Sequence, residues 1–87
     1  MIQELEHEFS NLDYLLALLA QCPLDDEAGI AGKHLQGARQ YLAIAMYGEY
    51  LRDLELARGA VARISDLATR ENADGIIAEL MEVAETI

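Results

Sequence analysis

Apolar residues recur at helical spacing along almost the whole chain. In the first segment they alternate at spacings of three and four, which forms the seam of an amphipathic helix: Ile2, Leu5, Phe9, Leu12, Leu16 and Leu19. Tyr14, Leu15 and Leu18 are expected to widen this seam on one side. The pattern predicts a first helix from Ile2 to Leu19 or Ala20.

The stretch QCPLDDE (21–27) predicts the end of this helix and the start of the next. Pro23 is hard to accommodate inside a helix, because its ring removes a backbone donor and clashes with the preceding turn. Asp25 or Asp26 is expected to cap the second helix, since short acidic side chains accept hydrogen bonds from its free N–H groups.

Residues 28–69 carry two apolar stripes that are out of phase. The first consists of Ala31, Leu35, Ala38, Leu42 and Ala45, and the second of Tyr47, Tyr50, Leu54, Ala57, Val61, Ile64 and Ala68. The first stripe ends at Ala45 and the second begins at Tyr47, a step of two residues. In an unbroken helix this step would rotate the buried face, whereas a tight turn would let the second stripe start on a new face. Glycine costs up to about 1 kcal/mol relative to alanine inside a helix. We therefore expect a break or kink near Gly48-Glu49, with one long helix as the open alternative.

The last segment predicts one more helix, with Asn72 as its cap and Asp74 in its first turn. Its apolar stripe consists of Ala73, Ile77, Leu80, Ala84 and Ile87. No segment shows the alternation typical of strands. We therefore expect a single all-α domain over residues 1–87, an antiparallel helical hairpin bundle of three or four helices, with a tetratricopeptide-like helix–turn–helix as one form of it.

The net charge is -10, and it is unevenly distributed. Residues 1–32 contain seven acids and no Lys or Arg, residues 33–70 contain six bases and four acids, and residues 71–87 contain five acids and no base. Packing the acidic outer segments against the mildly basic middle would be electrostatically favourable. Direct binding to nucleic acid or to anionic membrane surfaces is not expected, because both need a basic face.

Nothing in the sequence indicates export or insertion into a membrane. The N-terminus lacks the basic and apolar regions of a signal peptide, and the longest apolar run, YLLALLA (14–20), is too short to span a bilayer. The lone Cys22 suits a reducing compartment. We therefore expect a cytoplasmic protein.

Candidate chemistry is sparse. The stretch KHLQG around His34 lacks the marker residues of histidine phosphotransfer domains. Glu4 and His7 have the spacing of one half of a di-metal carboxylate site, but the second half is missing. No phosphate-binding loop or nucleophile–base pair is present. We expect neither enzymatic activity nor a metal or other cofactor.

Tyrosines are more informative about binding. Tyr41, Tyr47 and Tyr50 cluster around the step between the two apolar stripes. They could either pack in the core or form an interface patch. Core packing is the commoner case, but an 87-residue bundle cannot bury every large side chain, so some overlap between the two is expected. The predicted partner-binding residues are Tyr47, Tyr50, Leu51 and Leu54, faced by the seam of Leu12, Leu16 and Leu19.

Two stretches resemble proteins of type III secretion. LEHEFSNLDYL (5–15) and YGEYLRDLELARGAVARI (47–64) are similar to the two helices of the small hairpin co-chaperones of needle subunits. KHLQGARQYLAIAMYGEYLRD (33–53) resembles the helix–turn–helix of their tetratricopeptide-like partner chaperones, in which Gly48-Glu49-Tyr50 would form the turn. The resemblance implies a cytoplasmic chaperone that binds an aggregation-prone secreted helix through an apolar groove.

We therefore expect a small acidic protein-binding module, a chaperone or adaptor that sequesters an amphipathic helix of its partner and associates as a homodimer or heterodimer. The alternative is an acidic inhibitor, such as an immunity, anti-defence or nucleic-acid-mimic protein, that docks on a basic cleft. A small regulator of a transcription or signalling factor is a third hypothesis.

Overall fold

Four helices form the part of the chain that the computed structural model describes, residues 2–86, with side chains from residue 5 onward. They are α1 (Ile2–Ala20), α2 (Asp26–Ala43), α3 (Tyr47–Val61) and α4 (Leu67–Thr86). No strand occurs within this range. The prediction of an all-α helical bundle is confirmed, and so are the bounds expected for the first helix. Ile87, the last residue of the predicted final stripe, lies outside the described residues.

The helices form a closed ring. Each helix packs against the next along the chain, and α4 packs back against α1, whereas the backbones of the diagonal pairs stay apart. The connections are short, so neighbouring helices run antiparallel. The radius of gyration is 12.0 Å, which matches the value of about 12 Å expected for a compact domain of this length.

Helices α2 and α3 share the most extensive contact of the four neighbouring pairs. Ala31 and Ala38 of α2 and Ala57 and Ala60 of α3 are buried. The larger core residues are Leu12, Leu15, Leu19, Leu35, Leu42, Tyr50, Leu54, Val61, Ile64, Ile77 and Leu80. A Cβ atom at Gly37 would lie 2.5 Å from Oδ2 of Asp53. A side chain at position 37 would therefore displace the carboxylate of Asp53, which is the flexible end of a side chain on α3.

The buried face of α1 differs from the predicted seam. From residue 5 onward its buried residues are Glu8, Leu12, Leu15 and Leu19, whereas Leu5, Phe9 and Leu16 are only partly buried. The side chain of Ile2 lies outside the described ones. Leu15 lies in the core as expected. Tyr14, expected to widen the seam, is instead 50% exposed. The ring geometry explains the difference, because α1 contacts both α2 and α4 and buries the face between them.

A short turn at residues 44–46 separates α2 from α3. The N–H of Met46 donates to the carbonyl of Tyr41 and the N–H of Ala45 to that of Leu42, which is the Schellman pattern of a helix end. Ala45 takes the left-handed conformation that this motif requires, with φ of 60°. The predicted break is confirmed, but its predicted position was wrong. Gly48-Glu49-Tyr50 lies inside α3 and does not form the turn.

Replacing Ala45 with glycine is expected to raise the free energy of unfolding by about 1 kcal/mol, because glycine adopts positive φ without the steric cost that a Cβ atom brings. Urea denaturation followed by circular dichroism measures this gain. Ala43→Gly is the matched control, since Ala43 is exposed in the last helical turn of α2. It should lower stability by about 0.5–1 kcal/mol. A loss of stability in both variants would contradict the left-handed conformation of Ala45.

The connection between α3 and α4 occupies residues 62–66, where the second apolar stripe predicted a continuing helix. Ile64 has the spacing of the stripe and is buried, but it lies in the loop and not in a helix. Asp66 starts α4 by accepting hydrogen bonds from the N–H of Thr69 at 2.9 Å and from its hydroxyl at 2.6 Å. These bonds hold the pKa of Asp66 below its usual value. The prediction of Asn72 as the cap was wrong, because Asn72 lies within α4.

Asp25 caps α2, as one of the two predicted candidates. Its Oδ1 accepts from the N–H groups of Glu27 and Ala28, and its Oδ2 accepts from the N–H of Ser65 at 3.0 Å. These hydrogen bonds, that from Ser65 above all, lower the pKa of Asp25. One carboxylate thus ties the α1–α2 connection to the α3–α4 connection.

Ion pairs join the outer helices to the middle ones. Arg39 of α2 pairs with Asp13 of α1 at 2.8 Å, and Arg58 of α3 pairs with Asp74 of α4 at 2.7 Å. The expected packing of acidic outer segments against a basic middle is confirmed at these contacts. All four side chains are well exposed, so each pair contributes less to stability than the core does.

Candidate protein-binding surface

The seven predicted partner-binding residues divide into two groups. Leu12, Leu19, Tyr50 and Leu54 belong to one hydrophobic core inside the bundle. Leu16, Tyr47 and Leu51 pack against that core and remain partly exposed. A partner reaches the first four only if the bundle opens. In the folded protein, only Leu16, Tyr47 and Leu51 of the seven are accessible to a partner.

Negative charge is concentrated on the α1/α4 side of the bundle. Helices α1 and α4 together carry nine acids and one base, whereas α2 and α3 carry five acids and four bases. Because α1 and α4 are neighbours in the ring, the two acidic ends of the sequence form one side of the molecule. We call this side the α1/α4 face. Such segregation creates a potential that attracts basic groups and repels acidic ones.

A groove runs between α1 and α4, the neighbouring pair with the sparsest contact. Its volume is about 250 Å³. Its lining residues are His7, Glu8, Asn11, Glu79, Leu80, Glu82 and Val83. Leu80 and Glu8 are buried and form the floor, while the exposed His7, Glu79, Glu82 and Val83 form the rim. The lining contains two exposed carboxylates and no Lys or Arg.

Glu8 is the one charged side chain that is buried among those the structure describes, at 4% exposure. No donor in residues 5–86 forms a hydrogen bond or ion pair with its carboxylate. The nearby polar side chains of the groove are engaged with each other, since Asn11 donates to Nε2 of His7 at 3.3 Å. Among the described residues, the buried side-chain oxygens without a hydrogen-bond partner are the hydroxyl of Tyr50 and Oε2 of Glu27, and the carboxylate of Glu8 is not one of them.

Tyr50 adds a second polar group inside the bundle. Its side chain is fully buried, and its hydroxyl has no hydrogen-bond partner among the described residues. Burial, followed by the negative charge of Glu8, raises the pKa of Tyr50 well above its usual value. The phenol therefore stays protonated and keeps a free donor on the core side of α1.

The loop end of the bundle holds a larger cavity, of about 560 Å³, lined by residues 21–26 with Ser65 and Asp66. Leu24 projects beside it and is 97% exposed. This cavity lies between two connections and is wide open to solvent, and its lining carries no buried charge. The narrower α1/α4 groove combines charge, an apolar floor and a buried carboxylate, so it is the stronger candidate for binding.

Sequence reasoning missed the central residue of this surface. Glu8, Leu12, Leu15 and Leu19 follow spacings of four, three and four, which is the same helical periodicity as the predicted seam. Because Glu8 is charged, the apolar pattern assigned it to the solvent. A test for charged residues that fall on a buried stripe would have found it.

A metal site and a membrane span find no support in the described part of the chain. Among the side chains from residue 5 to residue 86, no group of three His, Cys, Asp or Glu is placed to hold a metal ion. No described helix is both long enough and apolar enough to cross a membrane. Comparisons with known proteins add no assignment, because no family, curated protein or solved structure matches this chain.

Proposed function

We propose that this protein is a small acidic protein-binding module, an adaptor or chaperone that holds a basic amphipathic segment of a partner protein on its α1/α4 face. The observation that carries the proposal is the concentration of negative charge on the side of the bundle that has the open groove. A basic segment is attracted to this side over a long range and finds a groove there once it arrives.

The α1/α4 face also offers apolar contact. Val83 on the rim is 39% exposed, and Tyr14 of α1 is 50% exposed. The hydroxyl of Tyr14 accepts a hydrogen bond from Nδ2 of Asn72 on α4 at 3.1 Å, which holds the ring over the α1/α4 seam. A tyrosine fixed in this way supplies apolar area at a low entropic cost. The face therefore suits a segment that is both basic and amphipathic.

This proposal changes the surface expected from the sequence while keeping the function. Most of the predicted contact residues pack inside the bundle. The proposed contact surface is therefore the α1/α4 face. The alternative hypothesis, an acidic inhibitor that docks on a basic cleft, would use the same face. The groove favours a protruding side chain or segment over a concave partner. The homodimer and the resemblance to type III secretion co-chaperones stay predictions.

Binding of a fluorescent amphipathic peptide of Leu, Ala and basic residues tests the proposal, with fluorescence anisotropy measured over a series of salt concentrations. We expect affinity to fall steeply as salt rises. Replacing both Glu79 and Glu82 with glutamine should weaken binding at low salt by roughly fivefold. The matched control replaces the exposed Glu49 and Glu55 of α3 in the same way and should have little effect.

Two results would contradict the proposal. One is the absence of binding to the basic peptide at low salt. The other is an equal loss of affinity in the α4 and α3 variants, which would mean that net charge alone attracts the peptide. A peptide of the same pattern with glutamine at the basic positions shows how much binding is due to its apolar face.

A further inference from the structure

The side of the bundle opposite the α1/α4 face has a different charge. It is formed by α2 and α3, which are neighbours in the ring, and we call its exposed surface the α2/α3 face. In a chain with a net charge of -10, these two helices carry five acids and four bases. Two strongly acidic surfaces repel each other, whereas surfaces with both signs of charge can pair with copies of themselves. The α2/α3 face is therefore the side on which two copies of this chain repel each other least.

An apolar patch lies on this face. Ile30 of α2 and Leu56 of α3 are both large and exposed. The two helices meet where Nδ1 of His34 lies 4.0 Å from Oδ1 of Asp53. Ile30 lies one turn before His34 along α2. Leu56 lies one turn after Asp53 along α3, and because the helices are antiparallel, both steps lead toward the same end of the bundle. Ile30 and Leu56 therefore lie at about the same level of the face.

The exposed stripe of α2 is complementary to itself. Its members are exposed and fall on one side of the helix: Asp26, Gly29, Ile30 and Lys33. Asp26 and Lys33 carry opposite charges and lie about one turn on either side of the two middle residues. At Gly29 a Cβ atom would meet no atom within 4 Å, so packing inside the bundle does not require glycine there. The missing side chain leaves room for the backbone of another helix.

We propose that the α2/α3 face is the contact surface of a homodimer, in which it packs against the same face of a second copy of this chain. A two-fold axis that sets the two α2 helices antiparallel brings Asp26 of each copy opposite Lys33 of the other. The same axis gathers Ile30 and Leu56 of both copies into one apolar cluster, and Gly29 lets the two helices approach closely. Charges of both signs then surround an apolar centre, as in other protein interfaces.

The dimer is expected to be weak, and it is independent of the proposed function. The bundle is only 18 Å across, so the contact is at the low end of interface sizes, and we expect a dissociation constant of roughly 10–100 µM. A chain at a few micromolar is then mostly monomeric, so denaturation experiments at that concentration measure the stability of the single bundle. The dimer leaves both α1/α4 faces exposed on its outer sides, and it would offer two binding surfaces to a basic partner.

Sedimentation equilibrium of the chain alone, over about 5–500 µM, tests the proposal. We expect a monomer–dimer equilibrium that shifts toward the dimer as salt rises, because salt screens the repulsion between two acidic copies. Binding of the basic peptide should weaken under the same change, so the two interactions are distinguishable. Ile30→Asp should weaken the dimer by about tenfold or more, because it places a charge in the apolar cluster. Circular dichroism checks the helical content of each variant.

Val83→Asp is the matched control. Val83 is 39% exposed and Ile30 is 42% exposed, but Val83 lies on the opposite side of the bundle, so its replacement adds the same charge and should leave the dimer nearly unchanged. Lys33→Asp should weaken the dimer by roughly fivefold, and adding Asp26→Lys should restore most of the affinity, since the exchanged charges pair again across the two-fold axis.

Three results would overturn the inference and leave the proposed function standing. The first is a chain that stays monomeric at every concentration and salt. The second is an equal loss of affinity in Ile30→Asp and Val83→Asp, which would place the contact elsewhere or nowhere in particular. The third is a charge exchange that fails to restore the dimer, which would contradict the antiparallel pairing of the α2 helices.

Discussion

Replacing Leu54 with alanine is expected to lower the free energy of unfolding by about 2–5 kcal/mol, because it removes a fully buried side chain and leaves a cavity. A domain of this length has a total stability of about 4–13 kcal/mol. The variant is therefore expected to lose a large part of its stability. Urea denaturation followed by circular dichroism measures the change.

Leu56→Ala is the control for this experiment. Leu56 lies on the same helix and has the same side chain, but it is 46% exposed. Its replacement should change stability by about 0.5 kcal/mol or less. Equal losses in the two variants would contradict the position of Leu54 in the core. In that case Leu54 would again be a candidate for partner binding, as the sequence suggested.

Replacing Glu8 with leucine is expected to raise the free energy of unfolding by about 1–3 kcal/mol. The change replaces a buried carboxylate without a described donor by a side chain that suits the neighbouring Leu12 and Leu80.

The control is Glu6→Leu, which introduces the same side chain at an exposed position of α1. Thermal melting and urea denaturation of both variants separate the effect of burial from that of helix propensity, which leucine improves only slightly. An equal gain in the free energy of unfolding at both positions would show that burial of Glu8 does not destabilise the fold. A loss at Glu8 alone would show that its carboxylate stabilises the fold.

Helical periodicity predicted much of the fold. The first helix and the buried stripe of the last one agree with the structure at Leu12, Leu19, Ile77 and Leu80. These positions follow local spacing, which a sequence displays directly. The cap at Asp25 was also predictable, because its side chain acts on N–H groups only two and three residues away.

The two wrong boundaries have physical causes. The α2–α3 turn places a left-handed conformation at Ala45, which sequence rules assign to glycine, so Gly48 attracted the prediction. The α3–α4 connection keeps Ile64 buried, so the apolar stripe passes through a loop without a visible interruption. In both places the packing of neighbouring helices determines the backbone, and local propensity does not.

The candidate site could be predicted only in part. The acidic first and last segments were evident, but their meeting on one face depends on the packing of α1 against α4. The same packing rotates α1 so that Glu8 becomes buried and Tyr14 exposed. The exposure of Tyr14 depends on contacts between distant parts of the chain, which a single sequence does not display. The burial of Glu8, in contrast, was visible in its spacing to Leu12, Leu15 and Leu19.

The closed ring of helices has a consequence for the order in which contacts form. The α2–α3 hairpin closes through a connection of only three residues, whereas the α1–α4 contact joins the two ends of the chain. Loop-closure entropy increases with the length of chain enclosed, so the second contact is the more costly of the two. A partner that bridges α1 and α4 binds only the closed form and shifts the equilibrium toward it. The terminal helices would then dock most firmly when the partner is present, and their amide hydrogen exchange would depend on its concentration.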